Sequence, residues 1–342
     1  MTTLAETVQK LAEGRTFSLK KGHYSLTKTA LVNDKFTVYE VEPKKDPTWD
    51  SSGNRIDDDQ WKHSTVIRLT ELHNEEQIRK LFEQFDLRKT IDNEKCSSIV
   101  AFHDQGIFGF QDKLYHATRY DEPFRDLHYW ITVDHVGAEI DILDVYRLAR
   151  GCLEVFEYLG ENGYVLTQFD EHNVYATSLS EDRANFFKVM FKGQKKSEIP
   201  NDILHKRHRF SPPETETKDI YKSYSFSLGL MLIWVLFETN NKAAEFPKDL
   251  YTNPDIIGNL IQACVEIAYK SGAPNQQLKE SFRVFLEDLL QVNQDKRKNA
   301  KELLTYKWII ESDKLDYEEY KKECEEYQKA LAKEKEENEK NF

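Results

Sequence analysis

Four groups of residues have the side chains for ligand chemistry. Asp50-Ser51-Ser52-Gly53-Asn54 and Asp57-Asp58-Asp59 offer the hard oxygen atoms that calcium takes. Their spacing does not fit a twelve-residue EF-hand loop, so a solvated loop is expected there. The ten histidines show no metal-ligand spacing, and His205, His208 and Arg209 read as surface charge. A basic run, Lys192, Lys195, Lys196, His205, Lys206, Arg207 and Arg209, stands out in a chain of net charge -12. It reads either as a solvated loop or as a site for a phosphorylated or acidic partner segment. Cys96, Cys152, Cys264 and Cys324 are too far apart for a zinc knuckle or redox pair, so free thiols and an intracellular, cytoplasmic setting are expected.

The elements that must position such groups follow from composition and periodicity. With 342 residues, 39% hydrophobic and 12% aromatic, the chain can bury a substantial core. The acidic balance argues against nucleic acid or an anionic membrane as partner. Alternation in Phe36-Thr37-Val38-Tyr39-Glu40-Val41 and Ser64-Thr65-Val66-Ile67-Arg68-Leu69 predicts strands, with a long loop from Glu42 to Lys62 between them. Asn74 before Glu75-Glu76-Gln77, and the stripe Ile78, Leu81, Phe82 and Phe85, predict a helix.

From about Ile140 the period becomes helical. Leu143, Leu148, Cys152, Val155, Phe156 and Leu159 mark one helix, stopped near Gly160 or Gly163. The most apolar run, Phe226 to Phe237, has 12 residues, too few to span a bilayer, and reads as a buried core helix. Thr2 to Glu13 reads as a short amphipathic helix rather than a signal peptide. In the charged end of the chain, Tyr317, Tyr320, Cys324, Tyr327 and Leu331 form a helical seam, either docked on its own domain or open to a coiled-coil partner.

Several ordered landmarks in the second half resemble the C-terminal lobe of eukaryotic protein kinases. Leu153-Glu154-Val155-Phe156-Glu157-Tyr158-Leu159, then Asn162-Gly163, looks like the helix before a kinase catalytic loop. Ser211-Pro212-Pro213-Glu214 looks like the A-P-E motif, and Phe226-Ser227-Leu228-Gly229 like the W-S-x-G start of the central helix. Leu289-Leu290, Asn293, Arg297, Ala300, Leu303-Leu304 and Trp308-Ile309 resemble the closing pattern of that lobe. The resemblance covers roughly residues 17 to 310. It implies an α+β, bilobal kinase-like fold: a helical extension over 1–16, a small β-rich lobe with one main helix over 17–136, a helical lobe over 137–311, and a charged helical tail over 312–342. Glu214 and Arg297 would form the family's buried ion pair, and Gly229 would serve the scaffold.

The same resemblance implies that the chemistry is lost. Phosphoryl transfer needs a positioned nucleotide, Mg²⁺ and a carboxylate facing the substrate hydroxyl. The catalytic loop H-R-D-L-x-x-x-N corresponds to Leu166-Thr167-Gln168-Phe169-Asp170-Glu171-His172-Asn173. Asn173 keeps a metal-site residue, but Gln168, a carboxamide, stands at the base position and cannot usefully take a proton. The D-F-G motif corresponds to Phe191-Lys192-Gly193, which offers no oxygen ligand for Mg²⁺. Arg68 stands for the phosphate-binding lysine, with an acidic partner expected near Glu83 or Gln84. The glycine-rich loop corresponds to Leu31-Val32-Asn33-Asp34-Lys35-Phe36-Thr37-Val38-Tyr39, which has no glycine.

Tyr224 and Leu166 stand where the family has a polar brace, so packing is expected to replace it. Tyr129 to Val136 resembles the strand entering the hinge, with Val133 near the gatekeeper position. A remnant nucleotide pocket would use Arg68, Val133, Asp134, Val136, Asn173 and Lys192, although aromatics such as Phe191 are expected to fill it. The leading expectation is a pseudokinase that binds a protein partner, such as an active kinase, as scaffold or allosteric regulator. Neither ATP nor Mg²⁺ is expected as a cofactor. One alternative is an atypical nucleotide-binding kinase, in which Arg68 and Lys192 supply cationic stabilisation and Asp170 or Glu171 acts as base. The other is an assembly subunit acting through the tail.

Overall fold

The computed structural model describes residues 24–33, 36–43, 48–49, 55–56, 66–72, 74–100, 102–110, 113–120, 124–135, 138, 140–167, 169–177, 186–198, 209–214, 218–240, 246–247, 250–251, 253–270 and 275–340. The expected helix over Thr2 to Glu13, the calcium-like aspartates, Val136 and Gln168 lie outside them. The chain divides into two compact units. One runs to Arg125 and also contains Met190–Gln194; the other holds Asp126–Val189 and continues from Lys195.

The first unit is built on an antiparallel sheet of β1 (Tyr24–Asn33), β2 (Phe36–Pro43), β5 (Val66–Leu72), β6 (Phe102–Phe110) and β7 (Lys113–Tyr120), in the order β1-β2-β5-β7-β6. Sequential strands that alternate in polarity pair through short connections. Asn33 pairs with Phe36, so two residues join β1 to β2. The segment expected to be loop from Glu42 to Lys62 carries a small ribbon, in which β3 (Thr48–Trp49) pairs with β4 (Arg55–Ile56). The connection after β5 carries α1 (Glu75–Arg88), the helix expected behind Asn74. Its apolar stripe recurs every three to four residues.

The second unit is mainly helical. After β8 (Phe124–Asp126) the chain turns through α2 (Leu127–Tyr129) into a π-helical turn, Trp130–Asp134. The strand expected over Tyr129 to Val136 is therefore a helix in its described part. Tyr-Trp-Ile-Thr-Val is a run of strand formers, but Asp126 caps the turn, accepting the Tyr129 N–H at 2.8 Å. A short apolar run cannot by itself distinguish strand from helix. Val133 is 51% exposed.

The helix α3 (Ile142–Asn162) starts where the Asp141 carboxylate accepts the Leu143 N–H at 2.9 Å. It stops at Gly163, whose φ of 70° a residue with a Cβ rarely adopts. Then come β9 (Tyr164–Leu166), β10 (Val174–Thr177) and β11 (Phe187–Val189), with β10 and β11 antiparallel; β12 (Gly193–Lys195) begins in the Met190–Gln194 segment of the first unit.

The central helix α4 (Ile220–Glu238) is apolar on all sides, as a helix in the middle of a core must be. It extends the expected apolar run to 19 residues, long and apolar enough to cross a membrane by length and composition, yet its most apolar window is 83% buried inside the protein. Gly229 lets it approach its neighbour closely. A Cβ there would lie 2.8 Å from Leu290 side-chain atoms. Around α4 pack α5 (Pro254–Ala268), α6 (Lys279–Leu289) and α7 (Ala300–Leu304), the last opened by an Asn299–Glu302 capping box. The aromatic core joins Trp308 to Phe282 and Phe285, with ring centroids 4.7 and 4.8 Å apart.

The last helix, α8 (Lys307–Lys340), runs unbroken from Trp308 into the charged tail. Its first turns dock on α3 through ion pairs and through Trp308, whose ring meets that of Tyr146 edge-on at 6.3 Å. The Arg147 guanidinium bonds Asp316 and also Asp144 at 2.5 Å, with Arg147 and Asp316 side chains 9% and 6% exposed. Arg150 and the Tyr146 hydroxyl both bond Asp313. Tyr317 and Tyr327 are exposed, while Tyr320 and Cys324 are half-buried.

Candidate functional site

The site positions fall in both units. In the first unit, Arg68 occupies the middle of β5, paired with Thr118, and its side chain lies outside the description. Glu83 is exposed. Gln84 instead clamps the segment Phe191-Lys192-Gly193. Its Nε2 donates to the Gly193 carbonyl at 2.7 Å, and its Oε1 accepts the Gly193 N–H at 3.3 Å. Arg88 donates to the Phe191 carbonyl at 3.0 Å. Phe191 is 3% exposed. Beside it lies a cavity of about 10 Å³, lined by Arg88, Ile91, Ile99, Val100 and Met190 among others, room for about one water. Lys192 is exposed. One turn of α1 thus fixes a phenyl ring, not a carboxylate, through two uncharged hydrogen-bonding contacts to backbone and one charged one.

In the second unit, Asp170, Glu171 and Asn173 are buried in the loop between β9 and β10, at 4 to 5% exposure. Both carboxylates are engaged. Asp170 accepts the His172 N–H at 3.0 Å, a turn that shapes the loop itself. Glu171 accepts an ion pair from Arg209 at 2.6 Å. The Arg209 guanidinium also sits 5.0 Å from the Trp234 ring, so this member of the basic run serves the protein's own packing. Lys196, another member, lies 5.1 Å from the Tyr221 ring. His205, Lys206 and Arg207 lie outside the described residues. Asn173 Oδ1 is buried without a hydrogen-bond partner among the described residues.

His172 Nδ1 lies 3.0 Å from the Asp126 carboxylate. This contact holds the His172 pKa above its usual value, reinforced by the nearby charges of Glu171 and Asp170. Burial pushes the Asp126 carboxyl up, but His172 and the Tyr129 N–H more than offset it, leaving it below the usual carboxylate range. His128 joins this group. Its backbone N–H donates to the Glu171 carbonyl at 3.3 Å, and its ring lies 5.1 Å from that of His172. No sequence signal announces that neighbourhood, because His128 stands 44 positions before His172 and only the fold brings them together.

The scaffold residues meet as a network. Arg297, 1% exposed, bonds Glu214 at 2.8 and 3.1 Å and donates to the carbonyls of Gln291, Lys222 and Val292. Ser223 and Gln294 donate to the same carboxylate. Burial pushes the Glu214 carboxyl up, but the Arg297 guanidinium overcomes it and holds the group below its usual range. The brace between α4 and β9 is not apolar, as the Tyr224 and Leu166 side chains led one to expect. The Tyr224 hydroxyl donates to the Leu166 carbonyl at 2.8 Å. The phenol thus reaches the β9 backbone, and its ring packs on Phe156 and Phe169.

No family model matches the chain, and no curated protein matches it. Among solved structures, a crystal structure of a kinase domain superposes with a TM-score of 0.55 at 16% identity, covering 87% of this chain and 99% of that one. The chain has a kinase-like fold. At that identity the match concerns architecture, and the chemistry must be argued from the residues themselves.

Proposed function

We propose that this kinase-like chain is a pseudokinase: it transfers no phosphate and acts by binding a protein partner, as a scaffold or allosteric regulator in the cytoplasm. The observation that carries this reading is the buried Phe191, held by Arg88 and followed by the Gln84 clamp on Gly193, where the family presents a metal-binding carboxylate. Mg²⁺ requires hard oxygen ligands in near-octahedral array, and a phenyl ring offers none. Three other features agree. Gln168 replaces the base, the glycine-free Leu31–Tyr39 replaces the glycine-rich loop, and Arg68 replaces a lysine whose compact ammonium it does not reproduce.

The atypical-enzyme reading needs Asp170 or Glu171 to accept a proton from a substrate. Asp170 is engaged with its own loop and Glu171 with Arg209, which speaks against it. The tail-assembly reading meets an α8 whose first turns are docked on α3. Thermal-shift titration with ATP, with and without Mg²⁺, tests the proposal. No stabilisation is expected under either condition. A clear shift without metal favours the atypical enzyme instead.

A further inference from the structure

We propose that His128, Glu171 and His172 form a metal site that takes Zn²⁺. A ring nitrogen from each histidine and a carboxylate oxygen of Glu171 lie within 4.8 Å of one another. Tetrahedral zinc bonds of about 2.0–2.1 Å place ligand atoms about 3.3 Å apart, so the triangle must tighten by up to about 1.5 Å. The His172 side chain, 56% exposed, has room to make that move.

Three further observations point to an ion. His172 Nδ1 is held by Asp126, which leaves Nε2 as the ring nitrogen to offer a metal. A carboxylate behind a histidine is the usual second layer of a zinc site, since it fixes the tautomer and raises the basicity of the ring. Asp126 is itself fixed by the Tyr129 N–H at 2.8 Å. His128 Nδ1 is buried and, among the described residues, shares only with Asn173 Oδ1 the condition of a buried side-chain atom without a hydrogen-bond partner. Such an atom calls for a bound water or ion. The His128 ring lies parallel to Trp234 at 6.1 Å, and the His128 backbone N–H is tied to the Glu171 carbonyl.

Two imidazoles and one carboxylate are the ligand set of zinc rather than of Mg²⁺ or Ca²⁺, which prefer oxygen throughout. Arg209 takes Oε1 of Glu171, which leaves Oε2 for the metal. Three protein ligands leave a fourth position for water. The bound ion would tie the turn after β8 to the loop between β9 and β10. This assignment stands apart from the loss of phosphotransfer, since its ligands include neither Phe191 nor Gln168.

The test strips the full chain with chelator and titrates Zn²⁺ against a chromophoric competitor, with Co²⁺ as a spectroscopic probe. One equivalent of Zn²⁺ is expected, with the intense visible absorption of four-coordinate Co²⁺. His172→Gln, at an exposed position, is expected to weaken zinc binding at least about 100-fold, and Asp126→Asn about 10-fold, each with unchanged circular dichroism. Failure of the folded wild-type chain to take up Zn²⁺ overturns the proposal. So does uptake that is equal in wild type, His172→Gln and His128→Ala, which would mark adventitious binding elsewhere, or binding of Mg²⁺ but not Zn²⁺.

Discussion

The docking of α8 on α3 gives a sharp energetic test. Asp316→Ala removes one carboxylate from a guanidinium that is almost fully buried. Stripping one partner from a buried ion pair costs about 3–5 kcal/mol, because the remaining charge keeps its desolvation penalty. Asp144 still bonds Arg147 at 2.5 Å, and Glu319 stands 3.5 Å away, so the cost should sit at the low end, about 3 kcal/mol. Replacing both members, Arg147→Met with Asp316→Ala, removes the charges together and should cost less than either of those single changes. The difference defines a double-mutant coupling of about 2–3 kcal/mol. Urea unfolding followed by tryptophan fluorescence reads it. With a slope of about 3 kcal/mol/M, Asp316→Ala should lower the midpoint by about 1 M. A coupling near zero, or a chain cut before Ser312 that unfolds like wild type, would refute the docking and return the tail to the role of a partner-seeking helix.

Three further outcomes are expected. Gly229→Ala drives a Cβ to 2.8 Å from Leu290 and 3.1 Å from Leu289, so thermal unfolding should show a loss of about 1–3 kcal/mol; an unchanged melting point would mean α4 and α6 are not in such close contact. Tyr224→Phe removes the hydroxyl that bonds the Leu166 carbonyl, at a cost of about 1–3 kcal/mol, and hydrogen exchange should quicken in β9, an unchanged rate excluding the brace. The His172–Asp126 contact acts at mildly acidic pH. The raised His172 pKa gives stability that is full below the usual value near 6.5 and fades as pH rises through the folded value. The lowered Asp126 pKa gives stability that is present above 3.8 and is lost as pH falls through its folded value. Measured with chelator present, His172→Ala should therefore cost more near pH 5.5 than near pH 8, by under about 1 kcal/mol for so exposed a ring. An equal cost at both values would show that the contact carries no charge.

Much of the skeleton was legible because local chemistry dictates it. Gly163, one of the two stops the sequence offers, ends α3 by a cap rule that operates within a few residues. Glu214 and Arg297 sit in ordered landmarks, and a charge buried at one of them demands the other. The segment at Trp130 read as a strand because β-branched and aromatic residues suit either state, and a single cap at Asp126 tipped the balance. Long-range polar partners left no local trace. Arg147 meets Asp316 across 169 positions, and Gln84 meets Gly193 across 109, with nothing in either sequence neighbourhood to announce the partner. Tyr224 was misjudged as a purely apolar replacement because its hydroxyl finds a backbone carbonyl, whose position only the fold supplies.

The central claim is that the phosphate chemistry was dismantled as a whole. The most direct measurement is the transfer of labelled γ-phosphate from ATP, with Mg²⁺ or Mn²⁺, to generic protein substrates and to the chain itself, comparing wild type with Arg68→Ala. No incorporation above background is expected from either protein. Incorporation by the wild type that disappears in Arg68→Ala would contradict the account.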